Sequence, residues 1–222
     1  NESKINMRIN ADFKVAAVEH TANMAWVDSY MPGVQRKMLD RLKAESGRAT
    51  SIVRYAPNSY FAPHTHDGGE EFLVLHGTFS DEHGDFPAGT YVRNPIGTQH
   101  KPHSRDGCII FVKLWQFDLK DTRQFDRNTQ QANWTEVTAE ISKLLLHEFD
   151  SEKVQLLHAN QNGAIDISGA GGIECLVLEG TCALGTTTYQ KDDWLRLPDT
   201  TVTINLSKNS RVYLKTGHLT QA

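Results

Sequence analysis

The feature that most constrains this chain is an internal repeat. Gly68-Gly69-Glu70-Glu71-Phe72-Leu73-Val74-Leu75-His76-Gly77-Thr78 recurs 103 residues later as Gly171-Gly172-Ile173-Glu174-Cys175-Leu176-Val177-Leu178-Glu179-Gly180-Thr181, and eight of the eleven positions are identical. The same shift carries Tyr91 onto Trp194, Arg93 onto Arg196, Pro95 onto Pro198 and Thr98 onto Thr201. One shift held over such a span makes the chain two copies of one unit, each long enough to bury its own core. We expect a first domain over residues 1–125 and a second over 126–222, joined near the polar stretch Asp118 to Asn133.

Each copy reads as short strands. Segments rich in β-branched and aromatic residues run from Arg48 to Tyr55, Glu70 to Ser80, Thr90 to Asn94 and Gly107 to Phe117. Others follow at Lys143 to Phe149, Lys153 to Ala159, Gly172 to Gly180 and Thr201 to Leu206. Turn chemistry such as Asp67-Gly68-Gly69, Pro87-Ala88-Gly89 and Asn160-Gln161-Asn162-Gly163 separates them. Many short strands at this spacing predict an all-β sandwich or barrel. Val34 to Leu42 has apolar positions that fit a helical face, but Pro32-Gly33 and Gly47 bracket it as a strand, which we prefer.

The 23 basic and 27 acidic residues give a net charge of −4, which argues against nucleic acid as the main partner. The basic residues from Arg36 to Arg48 are interrupted by Asp40 and Glu45 and read as a solvated face. The longest apolar run, Cys108 to Val112, is far too short to span a membrane, and no signal-peptide pattern is visible. Cys108, Cys175 and Cys182 form no CxxC and are expected to be buried free thiols in a cytoplasmic protein.

Histidine carries more information. Six of the ten histidines (His64, His66, His76, His83, His100 and His103) fall within forty residues. His64 and His66, two apart on a strand, point to one face. The Asp-Gly-Gly turn then lets Glu70 begin the next strand facing the same interior, and antiparallel pairing brings His100 opposite. Three imidazoles and one carboxylate around a point make a competent site for a divalent transition metal, one per chain. By alternation Phe72, Val74 and His76 share the parity of Glu70 and are expected to line a pocket beside it, whereas Glu71 faces away. His103 is expected near the pocket or exposed, and His83 at a hairpin tip. In the second copy the shift places Ile167, Gly169, Ile173 and Thr203 at the four ligand positions, so that half is expected to bind no metal there.

These blocks resemble the cupin signature, HxH(x)3–4E(x)6G followed by G(x)5PxG(x)2H(x)3N. His64, His66, Glu70 and Gly77 fit the first, and Gly89, Pro95, Gly97 and His100 fit the second; Ser104 stands in place of the final Asn. The resemblance implies two tandem double-stranded β-helix (jelly-roll) barrels. Met31 to Val34, Ala49 to Pro57, Gly68 to Gly77, Tyr91 to Pro95 and Gly107 to Leu114 are together similar to the ChrR-like cupins, named for anti-sigma factors. In those regulators a zinc-binding helical domain marked by HxxxCxxC grips an extracytoplasmic-function sigma factor, and the cupin responds to oxidative stress. The 222 residues contain no HxxxCxxC, so the sigma-factor grip does not carry over with the cupin. The resemblance implies Zn²⁺, although Fe, Mn, Ni and Cu suit the same ligands. It implies a stress-responsive sensor or transcription-regulatory protein whose partner is a sigma factor, another regulator or a second copy of the chain. The alternative is an Fe-dependent cupin dioxygenase acting on a small diketone or hydroxyketone.

Overall fold

The computed structural model describes residues 7–219. It is all-β, and every strand pairing is antiparallel; the Val34–Arg41 segment is a strand, as preferred above. The chain forms two compact units, each a double-stranded β-helix barrel. The first comprises Ala25–Gln131 and the segment ending at Ala11; the second comprises Asp12–Met24 and the chain from Ala132. The expected division at 125/126 therefore shifts, for a reason visible in the pairing. Phe125–Asn128 closes the first unit by pairing with Thr90–Asn94. Ala17–His20, expected in the first domain, pairs with Asp193–Leu197 of the second. Each unit thus takes its outermost strand on that edge from a segment outside the repeated core.

The main sheet of the first unit runs Phe125–Asn128, Thr90–Asn94, Glu70–Asp81, Cys108–Leu114, Ala49–Tyr55, Val34–Arg41, Val27–Asp28. A small second pairing joins Gln99–His100 to His64–Thr65. Val34, Val53, Phe72, Val74, Phe79, Phe86, Val92, Cys108, Ile110 and Val112 form the core between the layers. The second unit repeats the plan. Its sheet runs Ala17–His20, Asp193–Leu197, Ile173–Glu179, Arg211–Thr216, Glu152–Ala159, Ile141–Phe149, Thr135–Glu136, and faces Gly163–Gly169, Thr200–Leu206, Thr181–Leu184 and Thr187–Gln190.

The repeat extends to an irregularity. Against Cys108–Leu114, Val74 pairs with Ile110 and His76 with Ile109, so Leu75 is an extra residue, a β-bulge. Against Arg211–Thr216, Val177 pairs with Val212 and Glu179 with Arg211, which puts the same bulge at Leu178. An extra residue reverses the alternation of everything after it. Phe72 and Val74 face the core before the bulge, and Phe79 faces it after. His76, expected on the pocket wall, is turned outward and exposed. All three cysteines are free and buried, and burial pushes the Cys108 thiol up to about 11.

The second barrel is filled with hydrocarbon. Ile167 and Ile173 lie in one core with Cys175, Val177, Cys182, Leu195 and Ile204. A side chain at Gly169 would meet the Thr200 carbonyl oxygen at 1.9 Å and Ile173 at 2.6 Å, so this position has no room for a ligand. One equivalence needs correcting. His64 pairs with His100, and the matching Ile167 pairs with Val202, so the counterpart of His100 is Val202 and not Thr203. The loop before it is one residue shorter in the second copy. Val202 packs on the core, while Thr203 is exposed and donates a hydrogen bond to Asp166. All four ligand positions are apolar in this half. Replacing Ile173 with Glu should therefore bury a carboxylate without a partner and cost on the order of 3–5 kcal/mol. A denaturation midpoint equal to that of the parent protein would contradict this.

Candidate metal centre

His64, His66, Glu70 and His100 converge, with one ligand atom of each lying within 4.8 Å of the others. Pairing explains the approach. His64 and His100 are directly opposed on neighbouring strands, which brings their side chains together on one face. His66 follows one pleat later, its backbone N–H bonded to the Thr98 carbonyl at 2.9 Å. The chain then turns sharply to deliver Glu70. That turn requires glycine: Gly69 has φ +79°, and side chains at Gly68 and Gly69 would strike the rings of Trp115 and Phe117 at 2.2 and 2.4 Å. The two rings lie against the bare backbone and fasten the turn between two ligands.

The hydrogen bonds fix which ring nitrogens carry protons. The Thr98 hydroxyl donates its one hydrogen to the Pro95 carbonyl at 2.7 Å, so toward His66 Nδ1, 3.0 Å away, it can only accept. His66 therefore carries its proton on Nδ1. His100 Nδ1 lies 3.1 Å from Asp81 Oδ2, and a carboxylate accepts. His100 is likewise protonated on Nδ1. With both rings neutral, both Nε2 atoms present lone pairs, and they face each other at 3.0 Å. His64 Nε2 lies 3.1 Å from His100 Nε2, while its ring bonds to the Ala62 backbone. Glu70 Oε1 stands 3.4 Å from His66 Nε2 and 3.8 Å from His100 Nε2. Asn94 donates to the same Oε1 at 3.3 Å and is itself met by Gln124 at 3.3 Å.

In that neutral state the two Nε2 lone pairs repel unless a proton or a metal cation lies between them. His66, Glu70 and His100 are 6%, 8% and 3% exposed, too buried for water to relieve that repulsion freely. Burial holds the His64 and His66 imidazoles below their ordinary pKa, ahead of the opposite pull of Glu70. Burial pulls His100 down too, but the Asp81 hydrogen bond and the Glu70 charge outweigh it and raise its value. For Asp81, burial pushes upward and is outweighed by hydrogen bonds from His100 and the His83 backbone, which hold it low. The donor set fits a divalent transition metal, and these four residues can hold one.

The neighbours of the ligands were not all foreseen. Phe72 and Val74 lie in the core beside the site, and the Phe79 ring is 5.8 Å from His100. His103 stacks on Tyr60 with ring centroids 5.4 Å apart. Glu71 is buried on the opposite face, accepting hydrogen bonds from Tyr91 at 2.7 Å and from Arg93. Asp81, Asn94 and Thr98 escaped the sequence reading. Alternation from Glu70 puts position 81 outside, and only the Leu75 bulge brings it in. A signal for two of them existed in the repeat: Asp81 and Asn94 fall on Leu184 and Leu197, lost together with the ligands.

Residues 14–118 match the family described as ChrR Cupin-like domain. This part of the chain is similar to the ChrR-like cupins. Solved structures extend the likeness in fold over both units. A candidate dioxygenase from Nostoc punctiforme PCC 73102 shares 16% identity at TM-score 0.74, covering 91% of this chain and 82% of its own. A candidate glyoxylate-induced protein from Pseudomonas aeruginosa shares 14% at TM-score 0.71, with coverages of 96% and 90%. The bacterial pirin YhhW from Escherichia coli, in complex with nickel(II), shares 14% at TM-score 0.67, with coverages of 90% and 98%. At such identities the likeness is one of fold. No curated protein matches the sequence. Among the described residues no helix is long and apolar enough to cross a membrane.

Thr98→Val should remove the acceptor that fixes the His66 ring and lower metal affinity about tenfold. The metal-free protein should melt close to the parent. Competition with a chromophoric chelator measures the first, calorimetry the second.

Proposed function

We propose that the cupin binds one divalent transition metal through His64, His66, Glu70 and His100 and works as a metal-dependent sensor or transcription-regulatory protein. The observation that carries the metal reading is the convergence of the four ligand atoms within 4.8 Å, with the His66 and His100 Nε2 atoms 3.0 Å apart and each ring held by a hydrogen bond at Nδ1. The ChrR-like family match supports the regulatory role. Zn²⁺ is the ion that the family resemblance favours. A bound ion would supply Lewis acidity and a charge that locks two strand pairings together. The residues themselves hold the rings in one tautomer and shield their Nε2 atoms from solvent. A sigma factor or another regulatory protein is the proposed partner, and the cytoplasm the proposed location.

One observation favours the enzyme instead. Three imidazoles and one carboxylate can hold an ion that keeps further positions open, as a dioxygenase acting on a diketone or hydroxyketone needs. The fold likeness to a candidate dioxygenase is compatible with it.

Purified protein should hold one metal per chain, and His66→Ala or His100→Ala should lose most of it by elemental analysis. Undiminished metal in either variant would remove the assignment. The two roles part in a second assay. Anaerobic Fe(II)-loaded protein mixed with diketones and hydroxyketones should show no oxygen uptake if the cupin is a sensor. Turnover abolished by Glu70→Ala would make it the oxygenase.

A further inference from the structure

His100 is held from both ends of its ring, by the other ligands at Nε2 and by Asp81 at Nδ1. Asp81 is 7% exposed, and its second oxygen accepts the His83 backbone N–H at 2.8 Å. Two explanations compete: the carboxylate shapes the hairpin, or it serves the imidazole. The second barrel separates them. There Thr181–Leu184 pairs with Thr187–Gln190 in the register of the first-barrel hairpin: Leu184 opposes Thr187 as Asp81 opposes Gly84. The hairpin therefore forms with leucine at this position. The carboxylate is present only in the barrel that carries the histidines, and the bulge common to both barrels turns the position inward in each.

We infer that Asp81 is a positioning residue for the metal centre: it fixes His100 in the Nδ1–H tautomer and aims the Nε2 lone pair at the ion. The inference rests on the proposed metal reading of the same four residues. Leucine at the matching position suits a barrel whose ligand positions are isoleucine, glycine and valine. In the first barrel it would leave the His100 ring free to rotate or to carry its proton on Nε2, facing the ion.

The test uses the full chain, with Zn²⁺ and Co²⁺ as probes. Asp81→Asn keeps the size of the side chain. With one oxygen and one NH₂ it cannot accept from both His83 N–H and His100 Nδ1–H, so the imidazole loses either its tautomer or its anchor. Asp81→Ser is able to accept from the nearby His83 N–H but is too short to reach His100. Both variants should bind Zn²⁺ about 10–100-fold more weakly in chelator competition. In the paramagnetic NMR spectrum of the Co²⁺ form, one exchangeable ring N–H signal should vanish, which a purely structural role would not cause. Asp85→Asn, in the same hairpin, should leave affinity and spectrum unchanged. Parental affinity and a full set of ring N–H signals in the Ser variant, which decides if the Asn variant fails to fold, would overturn the inference and leave the metal reading standing. A parent protein that takes up neither ion would overturn both.

Discussion

One extra residue on one strand governs both the core and the candidate centre. Glu70–Asp81 must present Glu70, Phe72 and Val74 to the barrel interior and, further on, Phe79 and Asp81. Strict alternation cannot do this, because positions 74 and 79 differ in parity. The bulge at Leu75 supplies the missing step. It also sharpens the local bend and twist of the strand, so that its far half reaches the opposite layer. There it meets Gly84–Pro87 and the Ser59–Tyr60 and His103–Ser104 pairing. Without the bulge Asp81 would face solvent, His76 would enter the core, and His100 would lose its anchor.

The two barrels show what the polar centre demands of its surroundings. A buried imidazole-carboxylate group needs a partner for every polar atom, because each one left unmatched costs free energy that packing does not return. The first barrel meets this with Thr98, Asp81 and Asn94. The second drops the ligands and the matching carboxylate and amide together, replacing them with Ile167, Ile173, Val202, Leu184 and Leu197. Retaining any one of these polar groups alone would leave it unpaired in hydrocarbon. The exchange is consistent with function withdrawn from one copy while its scaffold stayed.

Much of this was legible in the residues, and the rest was hidden by counting. His64, His66 and Glu70 lie close together in sequence across a turn whose glycines announce it, and His100 follows from antiparallel pairing. Phe72 and Val74 precede the bulge and keep the parity of Glu70, packing in the core. His76 follows it and is turned outward, and the same step brings Asp81 inward. A bulge leaves no dependable residue signature when, as here, the extra residue is an ordinary leucine in an apolar run. The one-residue shortening before Val202 had the same effect, since nearby threonines let an ungapped shift look correct. The exchange of outer strands was equally invisible, because Ala17–His20 and Phe125–Asn128 lie outside the repeated segment.

The outer faces of the two sheets complete the argument by contrast. Glu71 of the first unit is 1% exposed among Tyr91 and Arg93, and Arg93 reaches Asp121 at 2.8 Å and the Phe117 ring at 4.1 Å. Glu174 of the second is fully buried, bonded to Trp194 and His218 at 2.9 Å each, and Arg196 lies over Phe13 at 4.0 Å. These buried charges occur in both copies, each covered by chain outside its repeated core. Their task must be one that both barrels share, and anchoring the covering segment to the sheet is such a task. The histidines, Asp81 and Asn94 occur in one copy only, where both copies fold alike. Glu71 and Arg93 recur in the second copy as Glu174 and Arg196, whereas the ligand residues, Asp81 and Asn94 do not, and that contrast ties the latter group to the proposed metal centre.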